Sequence, residues 1–155
     1  MRASENMGIV FVEKPSDKAG AGFTGESISM AKYRHICYIL QFGAITGNCV
    51  LTVKSGASDG VQTTSETFHY RLADAEQAAA AADSYGDWAD SSSLTLTAAT
   101  YDNKTLIIEL DSDELTAGQP WLTIAGSAVG NPLNLSIVAL LCEPRYGAHD
   151  MPTAI

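Results

Sequence analysis

Positive charge is scarce in this chain: nine Lys and Arg stand against eighteen Asp and Glu, a formal net charge of −9 over 155 residues. Each phosphate contact of a nucleic-acid-binding protein calls for a cation, so that class is excluded as an expectation. No apolar run approaches the ~18–20 residues of a membrane span. Cysteine is limited to Cys37, Cys49 and Cys142. The count is odd, the C-x-x-C spacing is absent, and each thiol lies in an apolar, strand-like run. These read as buried free thiols rather than a disulfide framework or zinc site. Residues Met1–Glu5 lack a basic stretch leading into an apolar run, so no secretory signal is expected, and synthesis in the cytoplasm is.

What is present is a substantial apolar fraction, 46%, at a length that suits one domain and can bury a core without staples. The few cations are unevenly placed. Residues 1–54 hold six basic and four acidic side chains, residues 55–155 three and fourteen. An N-terminal segment able to lie on an acidic surface would give that asymmetry, as would an unstructured leader.

Short apolar alternations separated by turn residues recur along the chain. Strands are predicted at Met7–Glu13, Tyr33–Phe42, Cys49–Lys54, Glu66–Leu72, Leu94–Ala98, Lys104–Leu110, Trp121–Ala125 and Leu133–Cys142. Ala73–Ala82, with five successive alanines after Asp74 and Glu76, breaks the rhythm and predicts a short helical insertion. Eight strands without alternating full helices define an all-β protein, an antiparallel β-sandwich or barrel, with a jelly roll preferred on strand count. The expected organisation is an extended N-terminal strand and arm at 1–32, a β-sandwich domain at 33–142 and a C-terminal tail at 143–155.

Candidate chemistry is thin. Gly56-Ala57-Ser58-Asp59-Gly60 matches the G-x-S-x-G elbow, but β-type sequence follows where the elbow requires a helix, so a hairpin turn explains the same letters. His35, His69 and His149 show no metal spacing. Asp111, Asp113 and Glu114 could offer three carboxylates to a hard cation, yet lack the glycine and distal glutamate of an EF-hand loop, and a solvated turn is the simpler reading. Glu109 and Asp111 share a strand face, but nothing in the sequence places them across a cleft as a glycosidase pair. Asn103-Lys104-Thr105 and Asn134-Leu135-Ser136 are chance sequons in a chain with no expected secretory route. The expectation is no catalytic residue, no cofactor and no metal.

Trp121 opens a strand and reads as a core filler. Tyr85 and Trp88 sit in a Gly/Asp/Ser loop, either folded back over the core or presented to a partner. The terminal stretch Glu143–Ile155 carries Arg145, Tyr146, Met151 and Ile155, more apolar than simple disorder would be. Tyr85, Trp88, Arg145, Tyr146, Met151 and Ile155 are therefore the candidate interface residues.

The segment Ser29–Phe42 with Gly43-Ala44-Ile45-Thr46-Gly47 and Val50-Leu51-Thr52-Val53 resembles a small family of tailed-bacteriophage virion proteins. So do Tyr101–Leu110, Gly118–Ile124 and the closing stretch from Glu143-Pro144-Arg145-Tyr146 through Pro152-Thr153-Ala154-Ile155. The likeness covers about residues 29–155; residues 1–28 match nothing in it. It implies a jelly-roll-like head decoration, or cement, protein on the outer surface of the virion head. The partner it implies is the major capsid protein, with a homodimer or homotrimer at symmetry axes and bridging by the terminal arms. A tail or spike component, or a carbohydrate-binding module that stacks sugars on Tyr85 and Trp88, is the alternative.

Overall fold

A computed structural model describes residues 6–145 and 153–155. In chain order the strands are β1 (Gly8–Asp17), β2 (Phe23–Thr24), β3 (Ile28–Ser29), β4 (Tyr33–Ile45), β5 (Cys49–Gly56) and β6 (Thr64–Ser65). They continue as β7 (Phe68–Leu72), β8 (Ala89–Ser91), β9 (Leu94–Leu96), β10 (Thr105–Asp111), β11 (Trp121–Gly126) and β12 (Leu133–Pro144). One helical turn, α1 (Ala98–Tyr101), precedes β10.

The first sheet has six strands in the order β1-β12-β4-β10-β7-β8. The second runs β2-β11-β5-β6, with β3 beside β2 on β11 and β9 beside β6 on β5. All these strand pairings are antiparallel. Successive long strands switch sheets: β1, β4, β10 and β12 lie in the first, β2/β3, β5 and β11 in the second. That is jelly-roll connectivity, with β7 and β8 added to one edge of the first sheet.

Period-two alternation sets which side chains meet between the sheets. Ile36, Tyr38, Leu40 and Phe42 of β4 face inward with Leu106, Ile108 and Leu110 of β10 and Leu135, Ile137, Ala139 and Leu141 of β12, all at 3% exposure or less. Leu51 and Val53 of β5 and Leu122 and Ile124 of β11 close on them from the other sheet. Burial pushes the Tyr38 hydroxyl far above its ordinary range, so it stays neutral.

Three expectations change. Residues 73–82 form no helix: Ala79, Ala82 and Ser84 donate to carbonyls three residues back, and Ala78 has φ 68°. The segment is exposed almost throughout, so it has no apolar face to pay for nucleation. Gln77 instead ties it to the strand ends, its amide N–H donating to Asn103 O at 2.8 Å and its side chain to Phe42 O at 3.1 Å. The helical turn lies at α1, where Tyr101 packs edge-on against Phe42 at 6.0 Å between ring centroids.

The N-terminal segment is not an arm over its described length. β1 runs along β12 as far as Asp17 with two register shifts, the second across Pro15, and Val10, Val12, Phe23, Ile28 and Met30 enter the core. Its glycines serve a tight return, Gly20 at φ 84° and Gly22 at φ 67°. At the other end, Ala154 is buried and its carbonyl accepts the Ser29 N–H at 2.7 Å, so the last described residues lie against the body. Trp121 is outside the core cluster and half-buried, because the alternation that sends Leu122 and Ile124 inward turns it outward.

Replacing Leu40, at the centre of the inward row, by Ala is expected to cost about 2–5 kcal/mol, read as a lowered midpoint in denaturant unfolding. A midpoint within error of the parent would contradict this placement of the core.

Candidate functional site

The first sheet has a second face, turned away from the sandwich. Its outward side chains follow from the strand register. One row across the strands is Phe11, Val138, Ile39, Ile107 and Arg71; the next is Ile9, Leu140, Cys37, Glu109 and His69. Phe11 is 81% exposed and Ile9 44%. Val138, Leu140, Ile39 and Ile107 are half-buried. Six aliphatic or aromatic side chains thus lie together on four adjacent strands, β1, β12, β4 and β10, on a sheet face turned away from the other sheet.

Cys37 and Cys142 are also on this face, half-buried, whereas Cys49 is fully buried. The expectation of three buried thiols holds for one. All three are unpaired. Burial, then the neighbouring Glu109, pushes the Cys37 thiol up to about 12, and burial also raises Cys49 and Cys142. The thiols therefore remain protonated and poor nucleophiles.

Toward β7 and β8 the face becomes polar and aromatic. The Arg71 guanidinium lies 5.0 Å from the Tyr85 ring centroid and 4.7 Å from that of Trp88. The loop is held there by backbone pairing of Tyr85 with Ala73 and by Gly86 N–H donating to Leu72 O at 3.0 Å. Tyr85 and Trp88 thus fold back on the outer face of the sheet, not over the core, and Trp88 keeps 47% exposure.

Beside Trp88 is a groove of about 310 Å³ lined also by His35, His69, Glu109, Asp111 and Glu114. His69 lies between two carboxylates, Nδ1 2.6 Å from Asp90 Oδ1 and Nε2 2.8 Å from Glu114 Oε1. Both ring nitrogens donate only in the imidazolium form. Those bonds, Glu114 first and Asp90 second, raise the His69 pKa to about 9. His35 Nδ1 is 2.7 Å from Asp111 Oδ1, with Nε2 3.7 Å from Glu109 Oε2. Glu114 also accepts the Asp111 N–H at 2.8 Å. Asp111 and Glu114 of the acidic turn thus spend their carboxylates on histidines and backbone. Among the described residues no grouping of three or more His, Cys, Asp or Glu side chains is placed to hold a metal ion.

Arg145 donates from Nη2 to Ser112 Oγ at 2.6 Å and lines an adjoining groove of about 530 Å³ that shares His35 and Asp111 with the first. Trp88 and Arg145 are therefore brought to one connected edge. Ile155, 60% exposed, belongs to the segment against residues 29–32. Tyr146, Met151 and His149 lie outside the described residues. Ser58 is in the turn after β5, where a Cβ on Gly56 would meet Val61 O at 1.9 Å. Its glycines serve a tight turn, not a nucleophile elbow.

Reading for chemistry missed Ile9, Phe11, Ile39, Ile107, Val138 and Leu140. Their signal was available: β4, β10 and β12 are apolar at odd and even positions alike, where a strand with one solvated face alternates.

Over the described residues, fold and surface together define a jelly-roll β-sandwich with an apolar outer sheet face. No protein-family model and no curated protein matches the chain. Among solved structures, the crystal structure of the SPBc2 prophage-derived protein YomS is similar, with a TM-score of 0.49 and 8% identity, covering 87% of this chain and 93% of that one.

The His69 pairing makes stability depend on pH with a definite sign. The folded pKa lies above the unfolded value of 6.5, so the contribution is complete below about pH 6.5 and disappears as pH rises through about 9. An NMR titration of the His69 ring should give a midpoint near 9, and His69→Gln should remove the loss of stability between those limits. A ring titrating near its ordinary value would refute the clamp. Arg71→Ala should release the loop, cost about 1 kcal/mol and shift Trp88 emission to longer wavelength.

Proposed function

We propose that this protein is a non-enzymatic structural component of a tailed-bacteriophage virion. In this reading it decorates the outer surface of the head, after synthesis in the host cytoplasm, and stabilises it by joining neighbouring major capsid protein subunits. The observation that carries the reading is the apolar outer face on β1, β12, β4 and β10, with Phe11 and Ile9 exposed on it. Large contiguous apolar patches on a folded domain mark sites of protein association. Here the patch is built on the most extensively paired strands of the sandwich, so it is rigid and loses little entropy on docking.

The resemblance over residues 29–155 supports the virion context, and the jelly-roll connectivity is the fold that resemblance implies. The titratable groups with the best chemistry are committed to one another, His35 to Asp111 and His69 to Asp90 and Glu114, which favours a structural role for them. The net charge of −9 favours protein partners over nucleic acid or a membrane surface. The alternative of sugar stacking on Tyr85 and Trp88 has less support, because Arg71 stacks on both rings.

Quantitative mass spectrometry of separated heads and tails should find the protein in heads, at a simple ratio to the major capsid protein. Phe11→Asp, at an 81% exposed position, should lower that occupancy while leaving thermal unfolding unchanged. A few copies confined to the tail fraction, or none in particles, would overturn the reading.

A further inference from the structure

Among the described residues Arg71 is a cation with no acceptor. We infer that it receives a side-chain carboxylate carried on an apolar segment of the protein partner, and that Tyr85 and Trp88 hold it ready for that contact. This deepens the reading just given, resting on it for the identity of the partner and not for the site.

The first observation is the missing acceptor. A guanidinium has five N–H donors to satisfy. The chain carries eighteen acidic side chains, yet among the described residues none forms an ion pair with Arg71. Its Nε is buried and has no hydrogen-bond partner. By comparison, Lys18 is paired with Glu13, and Arg145 donates to Ser112. A buried donor left unmatched is uncommon in a folded domain and calls for an acceptor.

The second is the clamp. The guanidinium carbon lies over the Tyr85 ring at 5.0 Å and over the Trp88 ring at 4.7 Å from the centroids. Cation–π attraction of this kind uses none of the N–H donors. The planar donor edge stays available, and its geometry matches the two oxygens of a carboxylate. Backbone ties from Ala73 to Tyr85 and from Leu72 to Gly86 fix the loop, so little conformational freedom is lost on binding. Arginine, tryptophan and tyrosine are also the residues on which binding energy at protein interfaces concentrates.

The third is position. Arg71 ends the outward row of Phe11, Val138, Ile39 and Ile107. Four strand spacings of about 4.8 Å place it on the order of 19 Å from Phe11, the reach of about six extended residues. A partner segment laid along that row covers apolar side chains with its own and brings one carboxylate to Arg71. In the neighbouring row β7 offers His69, both of whose ring nitrogens are already bound by Asp90 and Glu114. Beside it stands Glu109, 28% exposed. A carboxylate displaced by one row therefore meets like charge, so the acidic rim selects the register of the contact. A phosphate would bring more negative charge against the same rim, which favours a carboxylate.

The arginine Nε–H signals of the full chain, followed by heteronuclear NMR, test the site. The probe is the peptide N-acetyl-Val-Ile-Val-Glu amide, with its Gln counterpart as control. The Arg71 signal, assigned from Arg71→Lys, should shift saturably with the Glu peptide and not with the Gln peptide, while that of Arg145 stays in place. On purified heads, Arg71→Lys keeps the charge and the ring contact but loses the two-pronged donor edge. It should weaken binding about 30-fold with Trp88 emission and thermal unfolding unchanged. No shift, or an equal shift with both peptides, overturns the inference. Head binding by the wild type that Arg71→Lys leaves intact also overturns it and keeps the virion role. A wild type that gives the peptide shift but binds no heads keeps the site and removes the virion role.

Discussion

The pairing of β4 with β12 is the constraint on which the rest of the structure depends. These are the longest strands, and they run together from Tyr33 opposite Pro144 to Ile45 opposite Leu133. They also hold the two halves of the first sheet together: β1 pairs along the far side of β12, and β10 along the far side of β4. The pair joins the first third of the chain to its last, so its formation carries a large loop-closure cost before any long-range contact offsets it. Its register also decides every side chain's face. Ile36, Tyr38, Leu40 and Phe42 lie inward only while Cys37 and Ile39 lie outward, and a slip of one residue would exchange the two sets.

That exchange would be less ruinous here than in most sandwiches, because both sets are apolar at the centre of the pair. Strands of this type belong in surroundings that cover both faces. The second sheet covers one. On the other face Arg71, Glu109 and His69 bound the apolar patch on one side. At the other side β1 is bent by two register shifts, carries Lys14 and Pro15, and has its Val12 carbonyl capped by the Glu26 N–H at 3.0 Å. These are the devices by which an edge strand avoids indiscriminate pairing. Protection is thus applied to the edge of the sheet and not to its face.

Much of this was legible in the residues alone. The eight predicted strands are present, because each carries a clear alternation, and a sandwich of jelly-roll type follows from them. The additional strands, β2, β3, β6 and β8, are two or three residues long and exist through their partners, so no local pattern announces them. The polyalanine stretch misled because propensity was not backed by an apolar face. Residues 14–32 misled because composition outweighed three buried apolar side chains, Phe23, Ile28 and Met30. At the candidate site, Tyr85 and Trp88 stood out by chemistry, but Arg71, which holds them both, looked like an ordinary outward residue of a strand. The carboxylate–histidine pairs join residues far apart in sequence, such as His69 and Glu114, and only the sheet brings them together.

Electrostatics explains how such a face is compatible with a well-behaved chain. Two molecules at −9 repel one another within roughly a Debye length, about 8–10 Å at ordinary ionic strength. Random encounters therefore end before apolar surface is shared. The apolar rows on β1, β12, β4 and β10 are bounded toward β7 and β8 by Glu109, Asp111, Asp90 and Glu114, so the negative charge reaches the rim of the patch. A partner that covers Phe11, Ile9 and their neighbours must therefore offer apolar surface at the centre and tolerate or match carboxylates at that rim, which narrows the set of surfaces that fit.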